Sequence, residues 1–231
     1  MSNEPENEQS AIRNSPSAIG ALRRFVRPRP AAAAATTETA FVERCEMCSA
    51  ALGAEHQHLV EPSKRQMVCA CEPCAILFSG EAEKKFKRVP RRIRALPEFR
   101  LTDGQWDNLM IPIQLAFFYH STPDDKVLAF YPSPAGAIES LLALDSWNEV
   151  VEDNPVLREL EPDVEALLVN RVGGGGEYYI VPIDECYKLV GLIRAHWRGL
   201  SGGTEVWREI KGFYEELKER AVPVKTATTR A

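Results

Sequence analysis

Five of the six cysteines lie within a stretch of thirty residues, and their spacing could support chemistry in this chain. Two Cys-x2-Cys pairs, Cys45 with Cys48 and Cys71 with Cys74, flank a longer intervening segment. Such a pair bends the backbone so that both sulfurs point at one ion, and four thiolates in a tetrahedron form the ligand set of structural zinc sites. The spacing therefore predicts one metal site with these four cysteines as ligands and Zn²⁺ as the ion.

A fifth cysteine leaves the choice of ligands open. Cys69 comes two residues before Cys71, so in a strand the two side chains face the same side. Either Cys69 or Cys71 can then complete the tetrahedron, and His58 in the intervening segment is a further possible ligand. The extra cysteine also leaves an iron–sulfur cluster as the alternative cofactor, although the spacing matches none of the usual ferredoxin patterns.

Two histidines, His56 and His58, raise the question of a second, catalytic metal site. The segment Glu55-His-Gln-His58 is similar to the first strand of HNH nucleases, which also carry two Cys-x2-Cys pairs. Those enzymes need a later histidine on the following helix to hold the catalytic ion, and here that helix carries Ala75 and Leu77 instead. We therefore expect no nuclease activity, and a hydrogen-bonding or spare-ligand role for His58.

The elements that must position the ligands can be placed from the same segment. Residues 58–61 and 66–69 alternate between apolar and polar around a polar turn, which favours a hairpin. Residues 75–86 have helical character, so a knuckle, a hairpin and a helix follow one another, as in a treble clef or a zinc ribbon. We place this metal-binding module at 41–97, with a basic helix at 81–97. So short a module buries little core, and the metal would supply most of its folding free energy.

The segment 98–221 predicts an α+β domain. Four strands are expected at 113–120, 126–131, 163–172 and 177–181. Helices are expected from Ser133-Pro134 onward, over 155–160, over 183–197 and over 203–221. The four glycines at 173–176 predict a flexible hairpin tip, because no Lys-Ser or Lys-Thr follows them as in a phosphate-binding loop. The expected fold class is α+β, a small treble-clef or zinc-ribbon-like module followed by an antiparallel-sheet domain with helices on one face.

The two ends of the sequence lack a periodic apolar pattern. Residues 1–40 predict a disordered tail and linker, and residues 222–231 predict a second disordered tail. Arg23-Arg24 is followed by Arg27 and Pro28 rather than by the apolar segment of an export signal. No apolar run approaches the roughly 18 residues that span a bilayer. We therefore expect a cytoplasmic protein, in which clustered cysteines bind metal more often than they form disulfides.

Charge is distributed unevenly along the chain. Residues 81–100 carry eight Lys or Arg against three Glu, a local charge of +5, whereas residues 101–165 carry thirteen Asp or Glu against two Lys or Arg, a local charge of −11. The basic stretch is expected to pair with the acidic domain, and a docking surface for an acidic partner or a nucleic acid is the alternative. The net charge of −5 argues against a dedicated nucleic-acid binder.

Several short stretches together suggest a relationship. They are Cys45-Glu-Met-Cys48, Cys69-Ala-Cys71-Glu-Pro-Cys74, Tyr131-Pro-Ser-Pro-Ala-Gly136, Glu161-Pro-Asp-Val-Glu165 and Val181-Pro-Ile-Asp184. On these stretches, residues 20–220 resemble a bacterial family of unknown function whose genes often neighbour those of oxygen-tolerant nickel–iron hydrogenases. The resemblance transfers no catalytic residue. It implies a working context of hydrogenase expression, assembly or electron transfer.

No catalytic constellation accompanies the metal signal. The sequence has no Gly-x-Ser-x-Gly elbow, and its remaining histidines, His120 and His196, have no evident catalytic partners. We therefore expect a non-enzymatic accessory protein whose zinc module docks a protein partner, which the resemblance implies to be a hydrogenase subunit or maturation factor. An iron–sulfur redox carrier and a nucleic-acid-binding zinc protein are the two alternatives.

Overall fold

The computed structural model describes residues 42–80, 85–141, 144–199 and 201–224. The tail expected at 1–40 and most of the tail expected at 222–231 lie outside these residues. Within the described part of the chain, no helix has the length and apolar character needed to cross a bilayer. The same residues contain two sheets, one of three strands and one of seven, together with helices, which confirms the α+β class.

The three-stranded sheet belongs to the cysteine-rich segment. Strand β1 (Gln57–Glu61) pairs antiparallel with β2 (Gln66–Ala70) on one side and with β3 (Lys87–Arg88) on the other. A 3-10 turn at Pro62–Lys64 joins β1 to β2. Helix α1 (Glu72–Phe78) follows β2 directly. The predicted hairpin and helix are therefore both present, although the helix ends at Phe78 rather than at residue 86.

The prediction of a basic helix at 81–97 is wrong for residues 85–97, the part of this range that the structure describes. From residue 85 onward the chain is extended and contributes β3 and β4 (Arg94–Ala95). Pro90 has no N–H to donate and disfavours the helical conformation at Val89. Val89 and Ile93 are instead buried in the main core. We call the extended segment 85–95, which connects the two sheets, the strap.

The seven-stranded sheet has the order β10-β4-β9-β8-β5-β6-β7. Its further strands are β5 (Leu115–Ser121), β6 (Lys126–Ser133), β7 (Gly136–Ser140), β8 (Glu165–Asn170), β9 (Glu177–Pro182) and β10 (Val222–Pro223). Neighbouring strands are antiparallel except β10 and β4, which are parallel. The four predicted strands are β5, β6, β8 and β9. Two residues expected in a disordered tail, Val222 and Pro223, instead form the edge strand β10.

Helices cover both faces of this sheet rather than the single face that we expected. They are α2 (Asp103–Asn108), α3 (Leu144–Asp153), α4 (Ile183–His196) and α5 (Gly203–Arg220). In β5, Phe117 and Tyr119 belong to the core beneath α4 and α5, whereas Ala116 and Phe118 belong to the core beneath α2 and α3. The sequence of β5 explains this arrangement, because its continuous apolar run is typical of a strand that is buried on both faces.

The helix expected to begin at Ser133-Pro134 is also wrong, because this segment is a turn between two strands. Ser133 Oγ donates to the Gly136 carbonyl at 2.9 Å and accepts from the Ala135 N–H at 3.1 Å. Gly136 has a φ of 128°, which lies in the region that glycine tolerates best. Serine thus acts here as a turn residue rather than as a helix cap, and β7 follows it.

Asn154 fixes the end of α3 to the chain that precedes α2. Its Oδ1 accepts from the Arg100 N–H at 2.8 Å, and its Nδ2 donates to the carbonyls of Arg100 and Val150 at 2.7 and 2.9 Å. Asn154→Ala is expected to lower the free energy of unfolding by about 1–3 kcal/mol, because three backbone groups lose a buried partner. Urea denaturation followed by tryptophan fluorescence measures this loss.

The matched control is Asn148→Ala, since Asn148 is an exposed asparagine on α3, the helix that ends just before Asn154. Its effect is expected to stay within about 0.5 kcal/mol. Equal losses in the two variants would show that the three side-chain hydrogen bonds of Asn154 contribute nothing to the free energy of unfolding.

Ion pairs join the strap to the acidic domain. Lys87 Nζ lies 2.7 Å from Asp163 Oδ2, and Arg92 Nε and Arg94 Nη2 lie 2.7 and 3.1 Å from the two carboxylate oxygens of Glu165. The Glu165 side chain is fully buried, and that of Asp163 is 4% exposed. The basic stretch therefore pairs with the acidic domain, as the charge distribution predicted.

A second ionic contact holds the tip of the β1–β2 hairpin. Arg65 reaches Asp124 at 2.6 Å and Glu139 at 3.2 Å, both in the seven-stranded sheet or its turns. Hydrogen bonds from the Ser121 hydroxyl and from Arg65 lower the pKa of Asp124, so this carboxylate stays charged at neutral pH. The cysteine-rich segment is thus attached to the larger sheet at its tip as well as through the strap.

Candidate metal centre

The first cysteine pair lies on a tight knuckle before β1. The Ser49 N–H donates to the Cys45 carbonyl at 2.8 Å, and the Cys45 N–H donates to the Ala50 carbonyl at 2.8 Å. Ser49 adopts a left-handed φ of 61°, which lets the chain reverse directly after Cys48. The two sulfurs are therefore presented by one reversal of the backbone.

The second pair lies where β2 passes into α1. Cys71 occupies the position before the helix, and the Ala75 N–H donates to its carbonyl at 2.8 Å, which closes the first turn. Pro73 is tolerated in the first turn of α1, because an N–H at this position would have no intrahelical acceptor. Cys74 lies one turn after Cys71 and so projects from the same side of the helix start.

Glu46 fastens the knuckle to the end of β2. Its N–H donates to the Cys69 carbonyl at 2.9 Å, and its Oε1 accepts from the Cys69 N–H at 2.7 Å. These two bonds act as one further step of strand pairing. They bring Cys45 and Cys48 against the start of α1, where the other two sulfurs lie.

The structure brings together the sulfurs of Cys45, Cys48, Cys71 and Cys74. All four Sγ atoms lie within 4.8 Å of one another, and those of Cys48 and Cys71 are 3.7 Å apart. Zn–S bonds of about 2.3 Å in a tetrahedron place sulfurs about 3.8 Å apart. Cys45 and Cys74 are buried and Cys48 is exposed, so the cluster lies just beneath the surface. These four residues can therefore hold one metal ion.

The electrostatics of the cluster favour a cation. Burial alone would raise the pKa of Cys45, but the N–H groups of Cys71, Cys48 and Met47 outweigh it and lower that pKa to about 6. Burial and the neighbouring cysteines raise the pKa of Cys74 to about 12. One thiolate thus forms easily, and further thiolates repel it until a positive ion neutralises them.

The two further possible ligands, Cys69 and His58, lie together in a separate group. His58 in β1 is directly opposite Cys69 in β2. A ring nitrogen of His58, a ring nitrogen of His56 and the Cys69 sulfur lie within 4.8 Å of one another. The structure therefore places Cys71, and not Cys69, with the other three sulfurs.

Sequence reasoning missed Asp184, which belongs to this second group. Asp184 lies in the first turn of α4, and its Oδ2 is 2.8 Å from His58 Nδ1 across 126 residues of sequence. No local spacing signals this contact, because it exists only once the cysteine-rich segment is docked on the larger domain.

Comparison with known proteins identifies the family to which the sequence is similar. A family model with the description "Family of unknown function (DUF5947)" matches residues 44–221, which include both groups of potential ligands. No curated protein and no solved structure matches the chain significantly.

Proposed function

The chain belongs to the DUF5947 family of unknown function, and we propose that it is a non-enzymatic accessory protein with one structural Zn²⁺ in its four-cysteine site. The helix that carries two of the ligands would then dock a protein partner. The observation that carries this proposal is that α1, anchored through Cys71 and Cys74, turns two large apolar side chains outward. The setting we propose is the cytoplasm.

The order of elements supports zinc as the ion. A knuckle with two cysteines, a β-hairpin, and a helix with two cysteines at its start follow one another, which is the plan of a treble clef. Four sulfurs at tetrahedral separation suit Zn²⁺ or a single iron. An iron–sulfur cluster places its own iron and sulfide atoms between the cysteines and needs wider spacing, so we favour zinc over this alternative.

The exposed side chains of α1 support docking. Ile76 is 61% exposed and Leu77 is 69% exposed, and they are adjacent on one short helix. Single apolar residues on a surface are common, but neighbouring ones on an element that a metal fixes in place form a preorganised contact. The resemblance to hydrogenase-associated proteins indicates a hydrogenase subunit or maturation factor as the partner.

The strap argues against the nucleic-acid alternative. Its described cations already contact partners within the chain, and these cations are Lys85, Lys87, Arg88, Arg91, Arg92 and Arg94. Binding of DNA or RNA phosphates would have to compete with these pairs. A gel-shift titration at low salt is expected to show no complex, and a salt-dependent shift would favour the alternative.

A capture experiment tests the docking surface. Tagged full-length protein is purified anaerobically from its native host, and co-purifying proteins are identified by mass spectrometry. We expect a hydrogenase subunit or maturation factor with the wild type, and its loss with the double variant Ile76→Ser/Leu77→Ser. The control Met110→Ser removes a side chain of similar exposure (68%) outside the cysteine-rich segment and should retain the partner. Retention by the double variant would contradict the proposed surface.

A further inference from the structure

A second group of metal-binding side chains lies on the β1–β2 hairpin. His58 and Cys69 are cross-strand neighbours, and His56 precedes β1 by one residue. The rings of His56 and His58 have centroids 4.8 Å apart and are inclined at 69°. One ring nitrogen of His56, one ring nitrogen of His58 and Cys69 Sγ all lie within 4.8 Å of one another.

The ring of His56 is held in one orientation. Its Nδ1 lies 3.1 Å from the Gly53 carbonyl and 3.5 Å from Glu43 Oε2, so this nitrogen carries the hydrogen. The side chain is 8% exposed, and its Nε2 is a buried atom without a hydrogen-bond partner among the described residues. A buried polar atom left unpaired costs free energy, and such an atom in a native structure is completed by a water, an ion or a ligand. His56 Nε2 differs from a lone unpaired atom because two further potential metal ligands lie beside it.

The ring of His58 is oriented in the same sense. Its Nδ1 lies 2.8 Å from Asp184 Oδ2, and a carboxylate at this distance accepts the Nδ1 hydrogen. The lone pair of His58 is therefore on Nε2, as in His56. Histidines that bind metal usually donate their other ring N–H to a carboxylate or a carbonyl, and here both arrangements are present, with Asp184 and with Gly53.

We propose that His56 Nε2, His58 Nε2 and Cys69 Sγ bind a second Zn²⁺, with Asp184 as the residue that positions His58. Two imidazoles and one thiolate form a donor set that Zn²⁺ accepts, and three protein ligands leave its fourth position free. Both histidines line a surface groove together with Arg91, Asp184 and Lys188. The fourth position therefore takes an exchangeable ligand from the solvent in this groove, unlike the closed four-sulfur site.

The stoichiometry of bound zinc tests this site. Full-length protein is brought to equilibrium by dialysis in a buffer that fixes free Zn²⁺, and metal per chain is measured by mass spectrometry. We expect two ions for the wild type and one for each of Cys69→Ser and His56→Ala. The controls Cys186→Ala and His120→Ala remove the same residue types elsewhere and should keep two. Both test variants leave the four-sulfur ligands intact, so the remaining ion reports on that site separately.

One ion per chain in the wild type, or two ions in either test variant, would overturn the second site. A variant that misfolds is recognised by circular dichroism, and Asp184→Asn then gives an independent measurement, because it alters no metal ligand. This variant is expected to weaken binding of the second ion by about 10–100-fold in competition with a zinc-binding dye. An unchanged affinity would rule out Asp184 as a positioning residue and contradict the geometry of the site.

Discussion

Cys45→Ser is expected to remove the structural ion and to unfold the segment around it. The knuckle, β1, β2 and α1 share a small core, in which Leu59, Val68, Ala70 and Ala75 are the buried residues other than cysteine. Structural zinc contributes an apparent binding free energy of about 10–16 kcal/mol in small zinc modules, which exceeds what so few apolar side chains supply. The zinc content should fall by at least one ion per chain, and limited proteolysis should cut within residues 45–80.

The matched control is Cys186→Ala, because Cys186 is a free cysteine buried in the main core and is a member of neither group of potential ligands. This variant should retain the metal of the wild type and resist cleavage within 45–80, even if its melting temperature falls. Unchanged metal content in Cys45→Ser would show that our ligand set is wrong.

Glu165→Ala is expected to destabilise the whole chain by about 3–5 kcal/mol. The side chain is fully buried, and it accepts from Arg92, from Arg94 and from the Glu161 N–H at 2.7, 3.1 and 3.0 Å. The Arg94 side chain is only 14% exposed, so removal of the carboxylate leaves a largely buried guanidinium without its main partner. Urea denaturation of the metal-loaded protein measures the loss.

Glu159→Ala provides the comparison, because Glu159 also pairs with Arg94, at 3.1 Å, but is 67% exposed. Exposed pairs contribute about 0–1 kcal/mol, so this variant should remain close to the wild type. Similar losses of unfolding free energy in the two variants would show that a buried carboxylate stabilises the pair with Arg94 no more than an exposed one.

Much of the sheet could be predicted, because its strands carry their signal locally. The apolar runs of β5 and β8 and the glycines between β8 and β9 mark strands and their connection within a few residues. The helix predicted from Ser133 onward was wrong for an equally local reason, since Ser-Pro occurs in turns as well as at helix starts. The covering of both sheet faces was visible in the unbroken apolar run of β5, which a strand with one solvent face would not show.

The candidate metal ligands likewise include some that the local sequence predicts and some that it does not. The Cys-x2-Cys spacing predicts the four sulfurs because each pair is set by a few residues of backbone. The group of His56, His58 and Cys69 depends on the register of β1 against β2, and a shift by one residue would turn His58 to the other face. The contact with Asp184 depends on docking between segments 126 residues apart, which no local pattern encodes.

The position of β4 between β9 and β10 also sets an order of events during synthesis. The four cysteines are all present once residue 74 has left the ribosome, whereas β4 gains its neighbour β9 only after residue 182. At about 5–20 residues per second, this interval lasts roughly 5–20 seconds. The four cysteines can therefore bind a metal ion while the chain is still being translated, before β9 is available to pair with β4.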